Sequence, residues 1–315
     1  MKSFDPSSGD ALADRRADFA DMLLQSGDAA AAAELMLQAL EKAPGWAYGW
    51  FRLGEMQEVA GAASPAAAAF RMALKLDPDD RAGAALKLHL AGAMDDPAAM
   101  PAAFVETLFD QYAGKFESSL LGKLDYRAPD LLFEAIEITH PARFARALDL
   151  GCGTGLMGER LRPLCDRLEG YDLSAGMLKG ARAKGIYDLL DQANLAALSF
   201  DAPRADLAVA ADVYMYVGAL ETIFANARTM LVPGGLFAFS VEKLDAPDGF
   251  ALRETRRYAH SQAYVERCLA DAGFQLLSLA EAAIRKDREQ PVTGMIVVAA
   301  RSDGSIPLGG VDVLH

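Results

Sequence analysis

The residues whose spacing could do chemistry lie first in one stretch, Asp149-Leu150-Gly151-Cys152-Gly153-Thr154-Gly155. A short apolar run, Ala147 to Leu150, enters it, and a helical pattern from Leu156 to Leu164 leaves it. An apolar run, a glycine turn and a helix make the first βα unit of an open α/β sheet. Alternating glycines let the backbone take φ > 0 and approach a bound group closely. The helix that follows opens with unpaired N–H groups. This is the signature of a nucleotide-type cofactor site. From Gly153, the string Gly-Thr-Gly-Leu-Met-Gly fits the dinucleotide fingerprint G-x-G-x-x-G, with Asp172 at about the right distance downstream. From Asp149 it reads Asp-x-Gly-x-Gly-x-Gly, and the rest of the chain has to choose between the two.

The second concentration of chemistry is Arg256-Arg257-Tyr258-Ala259-His260-Ser261, cations and an imidazole gathered in an acidic chain. Ligands of doubly wound sheets lie across the carboxyl ends of the strands. The stretches Val213–Tyr216 and Glu242–Gln262, which follow strands four and five, therefore flank the reacting end. Arg257 is expected to orient an anionic acceptor. His260, with an ordinary pKa of about 6.5, is expected to hydrogen-bond it or take its proton, and Tyr258 completes this candidate catalytic group. The same residues also fit a solvated loop with a helix cap at Ser261.

These groups need a scaffold, and the chain supplies an alternation of strands and helices. Leu168–Ser174 reads as a second strand ending in an acid, with Ser174 capping a helix over Ala175–Lys184. Tyr187–Ala193 is a weaker third strand. Ala205–Asp212 is a continuous apolar run, as expected of a central strand buried on both faces. A helix over Ala219–Leu231 and a Pro233-Gly234-Gly235 turn lead to a strand over Leu236–Val241. A helix over residues 262–272 ends at Gly273. Phe274–Leu279 and Met295–Ala300 have no helix-length pattern between them, so they must pair antiparallel.

The front of the chain is different. To about residue 95 it is rich in Ala and Leu with helical spacing, and it repeats itself at 34 residues. That shift lays Gly27 on Gly61, Ala32 on Ala66, Met36 on Phe70, Ala39 on Ala73, Pro44 on Pro78 and Ala20 on Gly54. Asp95-Asp96-Pro97 and Met100-Pro101 punctuate the end of this region, and an aromatic amphipathic segment, Phe104 to Glu117, follows it. The chain thus divides into a disordered lead (1–10), helical repeats (11–95), a linker and helical lid (96–140), an α/β domain (141–301) and a loose tail (302–315).

Composition bounds the function. The chain has 315 residues, 52% of them hydrophobic, and a net charge of −13. A surface of that sign argues against sequence-independent nucleic-acid binding. Cys152, Cys165 and Cys268 are odd in number and far apart, which suggests a reducing compartment and neither disulfide nor zinc cluster. The four histidines are scattered, and no grouping has metal-ligand spacing. There is no apolar leader segment and no run of the ~20 apolar residues that a membrane span needs. A cytoplasmic protein without membrane or nucleic-acid partners is expected.

Three stretches taken together decide the cofactor. Asp149–Gly155, then Tyr171-Asp172-Leu173-Ser174 with Met177-Leu178, then Val232-Pro233-Gly234-Gly235 before a strand resemble, in this order, the class I S-adenosylmethionine-dependent methyltransferases. The closing antiparallel hairpin is also typical of their sheet. The resemblance covers roughly residues 104–300. It implies a Rossmann-like, doubly wound, seven-stranded sheet and S-adenosylmethionine as cofactor. It places Asp149, Gly151, Gly153 and Gly155, with Cys152 between them, around the methionyl end, Asp172 on the ribose, and the Met177-Leu178 pair beside the adenine, with Leu173 also among the cofactor-binding residues. Asn194 and Leu195 fall where the family has an acid facing the adenine amine, and Asp212 falls in the sulfonium pocket. The 34-residue period, its small crossing residues and its prolines resemble the tetratricopeptide repeat, and the whole is similar to a bacterial group of methyltransferases carrying such repeats. The resemblance implies methyl transfer to a small-molecule or protein acceptor and a protein partner on the repeats. Two other readings remain: repeats that do the work beside a silent cofactor domain, and a nicotinamide-dependent oxidoreductase.

Overall fold

The computed structural model describes residues 6–95, 99–117, 124–287 and 289–302. Most of the expected tail, the first residues of the lead, the middle of the linker and Leu121–Lys123 of the lid lie outside the described residues. The chain forms two compact units, one of Met1–Leu108 with Leu252–Arg256 and one of Phe109–Ala251 with Arg257–His315.

The first unit holds the helices α1 (Ala11–Gln25), α2 (Ala29–Leu40), α3 (Ala47–Val59), α4 (Ala63–Leu76) and the short α5 (Ala84–Leu90). Asp10 and Asp28 cap α1 and α2 by accepting from amides of the first turn. The 34-residue period survives in the backbone. Gly27 (φ 93°) and Gly61 (φ 76°) stand at matching turns between paired helices. Met36 and Phe70, Ala39 and Ala73, and Ala32 and Ala66 are all buried at matching positions. Gly54 is glycine for a packing reason, since a Cβ there would stand 2.5 Å from the Phe70 ring.

Helix α6 (Ala102–Tyr112) leads into the second unit, where α7 (Ala128–Thr139) precedes the first strand. The strands are β1 (Phe144–Leu150), β2 (Cys165–Asp172), β3 (Leu189–Gln192), β4 (Ala205–Ala210), β5 (Leu231–Lys243), β6 (Phe250–Leu252), β7 (Tyr258–His260), β8 (Phe274–Asp287) and β9 (Gln290–Arg301). Their order is β3-β2-β1-β4-β5-β7-β6, with β9 antiparallel on β5 and β8 antiparallel on β9. The helices between them are α8 (Leu156–Leu161), α9 (Ala175–Lys184), α10 (Glu221–Met230) and α11 (Gln262–Asp271).

Helices cover both faces of the sheet, as strands buried on both sides require. Phe224 of α10 and Val265 of α11 pack with Tyr171, Phe237 and Phe239. Leu132 and Ile136 of α7 and Met157 and Leu161 of α8 pack with Leu168, Val209 and Ala238. This is a Rossmann-like, mostly parallel fold, with nine strands among the described residues where seven were expected. The two extra strands have a plain cause. Strand β5 outruns β4, whose last pairing is Ala210 with Phe239, and β7 takes the vacated edge by pairing Ala259 with Glu242 and His260 with Lys243. No helix among the described residues is long and apolar enough to cross a membrane. No group of three or more His, Cys, Asp or Glu among them could hold a metal.

Candidate cofactor and acceptor site

The glycine turn leaves β1 with Gly151, Gly153 and Gly155 at φ of 71°, 54° and 94°. L side chains resist that region, which explains the alternation. A Cβ on Gly153 would meet only Phe116, at 3.7 Å, so that side of the turn is open for a ligand. Asp172 ends β2 next to it. One carboxylate oxygen accepts from the Gly153 amide at 2.8 Å and the other from the Ser174 amide at 2.8 Å. Each oxygen keeps a further lone pair, the pattern a vicinal diol needs. Burial raises the Asp172 pKa above its ordinary value.

Asp149 lies beneath the turn. It is 1% exposed, one of its oxygens accepts from the Tyr187 hydroxyl at 2.6 Å, and burial pushes its pKa up to about 7. Tyr187 explains another glycine. Its ring fills the space under the turn so tightly that a Cβ on Gly158 would stand 2.1 Å from the hydroxyl oxygen. Gly158→Ala is therefore expected to destabilise the protein by about 1–3 kcal/mol through overpacking. Urea unfolding measures this, and wild-type stability would mean that the ring has room to move. Cys152 is also turned inward. It is 5% exposed, with its thiol pKa raised far by burial, so it fills space under the turn.

Above the turn lie the last turn of α6 and the residues that follow it. Asp110 accepts from the Ser174 hydroxyl at 2.5 Å and from the Gly176 amide at 3.0 Å, at the start of α9. Phe109 packs on Phe116 and on Tyr216, with ring centroids 6.0 and 5.3 Å away. These residues cover the turn as a lid. Met177 is buried beside them and Leu173 is half-buried, whereas Asn194 is exposed and spends its side-chain oxygen on the Ala196 amide. Leu195 packs against the core.

At the carboxyl ends of β4 and β5 stands a buried charge cluster. Asp212, at a strained φ of 58°, accepts two bonds from Arg285, at 2.5 and 2.6 Å, and its amide donates to the Ser240 hydroxyl at 2.8 Å. The same guanidinium also donates to Glu242. Arg285 is 2% exposed, so its charge depends on these two acids. Nothing in the local sequence marks Arg285, which is why the motif reading missed it. Tyr187 and Asp110 were passed over as strand and lid residues for the same reason.

The structure corrects part of the catalytic group. His260 and Tyr258 are fully buried at 0% exposure. His260 Nε2 lies 2.9 Å and 3.0 Å from the Val217 and Gly218 carbonyls, its ring stacks on Tyr264, and burial lowers its pKa to about 4. A neutral imidazole sealed inside the core holds the loop after β4 and does not face an acceptor. Tyr258 packs on Phe250. Only Arg257 stays partly exposed, 3.2 Å from Asp287.

The residues present fit a cationic adenosyl cofactor. Asp172 offers acceptors to a diol, and the Asp212–Arg285–Glu242 cluster, two acids on one guanidinium, carries a net negative charge that favours a sulfonium over a pyrophosphate. The comparisons agree. Residues 148–239 match the family model described as a methyltransferase domain. Over 136 residues the chain is 34% identical to methyltransferase-like protein 27 of Homo sapiens, covering 41% of this chain and 54% of that protein. Over 150 residues it is 31% identical to a malonyl-[acyl-carrier protein] O-methyltransferase of Enterobacter lignolyticus, covering 47% and 57%. The matched part thus spans little more than half the length of these curated relatives. The fold matches that of Burkholderia thailandensis 1,6-didemethyltoxoflavin-N1-methyltransferase, solved with S-adenosylhomocysteine, at a TM-score of 0.53 and 18% identity, covering 67% of this chain and 94% of that one. Within the α/β unit, residues 148–239 carry the sequence of a methyltransferase domain.

Proposed function

We propose that the protein transfers a methyl group from S-adenosylmethionine to a small-molecule or protein acceptor, and that its helical hairpins are tetratricopeptide-like repeats that dock a protein partner. The observation that carries the first part is the open glycine turn joined to Asp172, with each carboxylate oxygen still able to accept. The cofactor supplies an activated methyl on a sulfonium, a good leaving group. The chain's own residues then position and exclude water. Asp172 holds the ribose hydroxyls, and the glycine turn cradles the methionyl end from Asp149 to Gly155. The Asp212–Arg285–Glu242 cluster, two acids on one guanidinium, would offer its net negative charge to the sulfonium. The Phe109–Phe116 lid shuts out solvent. Arg257 is the cation placed to orient an anionic acceptor. The names of the O-methyltransferase relatives make an oxygen acceptor the first to test.

The matching glycines and buried small residues of the two helical hairpins support the repeat reading on which the docking role rests. Calorimetry on the purified chain should give micromolar binding of S-adenosylmethionine and of S-adenosylhomocysteine, and none of NAD. Binding of NAD alone would replace this reading with an oxidoreductase. Binding of neither would leave the repeats as the working part.

A further inference from the structure

Three arginines and one buried glutamate meet on the sheet away from the cofactor turn. Glu169, in β2, is 1% exposed. Its carboxylate accepts from Arg167 Nε at 2.6 Å, from the Tyr171 hydroxyl at 3.0 Å and from Arg204, and Arg146 Nε stands 3.6 Å away. Burial raises this carboxyl, but the bonds from Arg167, Arg204 and Tyr171 outweigh it and keep the group ionised. Arg204 is held in place, 4.0 Å over the Phe200 ring and 2.8 Å from the Tyr171 hydroxyl. One carboxylate thus serves three guanidinia.

The nearby acids hold partners of their own or stand apart, although Asp188 also acts on Arg167. Asp206 accepts from the Ala145 and Arg146 amides, and Asp188 accepts from Arg162 and the Leu168 amide. Asp191 is exposed on β3. Arg146 and Arg167 are direct partners in the β1/β2 register, a like-charge pair that costs stability unless something sits between. Their side chains stay 35% and 44% exposed. Among the described residues, the Arg146 fork has only the 3.6 Å ion pair, and Arg204 Nε is buried without a partner.

We propose that Arg146, Arg167 and Arg204 form a binding site for a phosphoryl dianion carried by a small metabolite, separate from the cofactor turn. Guanidinium forks match the oxygens of a phosphoryl group in pairs. Three such forks around one carboxylate leave two positive charges, which a dianion offsets. Glu169 holds the forks in register before the ligand arrives. The surrounding protein, at net charge −13, repels extended polyanions and so favours a small ligand. The cofactor acid Asp172 is five residues further along β2 than Arg167, roughly 16 Å at the usual strand rise.

The test is calorimetry on the full chain at low salt, with inorganic phosphate and glycerol 3-phosphate as probes. Saturable binding is expected, weakening as pH falls from 7.5 to 5.5 through the second phosphate pKa of about 6. Arg146→Gln/Arg167→Gln should weaken it by about ten-fold or more, and saturating S-adenosylmethionine should leave it unchanged. If the double variant fails to fold, Arg146→Gln alone serves, since that fork makes only the long contact. The proposal falls if neither probe binds saturably, if the variant binds equally well, or if S-adenosylmethionine competes. It also falls if a phosphoserine peptide binds ten-fold tighter than glycerol 3-phosphate, which would make the ligand a protein.

Discussion

Arg285→Ala is expected to destabilise the protein by about 3–5 kcal/mol at pH 7, the cost of leaving buried charges without their partner. Arg285 is the cation between Asp212 and Glu242, and all three side chains are nearly closed to solvent, at 1%, 7% and 3%. For a unit of about 200 residues this corresponds to a fall of roughly 6–20 °C in the melting temperature. An exposed pair gives the contrast. Arg160 and Asp130 are 50% and 51% exposed, and Arg160→Ala should cost under about 1 kcal/mol. Urea unfolding at pH 7 reads both variants. A loss below 1 kcal/mol for Arg285→Ala would mean that solvent or another cation reaches the cluster.

Asp172→Ala should weaken S-adenosylmethionine binding from about ten-fold to somewhat over a hundred-fold, the equivalent of ~1.5–3 kcal/mol. Two effects act together. The variant loses the acceptors for the ribose hydroxyls, and it also releases the Gly153 and Ser174 amides that the carboxylate now holds at 2.8 Å. The first effect moves affinity alone, whereas the second also loosens the turn. Calorimetry on a variant that melts like the wild type separates them. An unchanged dissociation constant in that folded variant would remove Asp172 from the cofactor site.

Features written in local spacing were legible before any coordinates. The helix over Ala175–Lys184 with its Ser174 cap is present as read, because a cap and a helical period are properties of neighbouring residues. The glycine turn, the acid ending β2 and the buried run of β4 are legible for the same reason. The closing hairpin was read as Phe274–Leu279 and Met295–Ala300, yet its arms run from Phe274 to Asp287 and from Gln290 to Arg301. The outer arms carry Glu281, Lys286 and Gln290, which show no apolar alternation. They are strands because each pairs with the other, and neither sequence alone says so.

What required the tertiary structure was every contact between distant segments. Strand β7 exists because β5 overhangs β4, and that overhang turned His260 and Tyr258 from an expected acceptor-facing loop into the core. Arg285 reaches Asp212 across 73 residues, and Tyr187 reaches Asp149 across 38. A cation in a long alternating strand and a tyrosine before a weak one look like ordinary surface or core residues until the sheet closes. Local propensity and period are carried by a few neighbouring residues, so a chain displays them in one dimension. Burial, charge pairing and exposure depend on which segments the sheet order brings together, and that choice is made only when the chain folds.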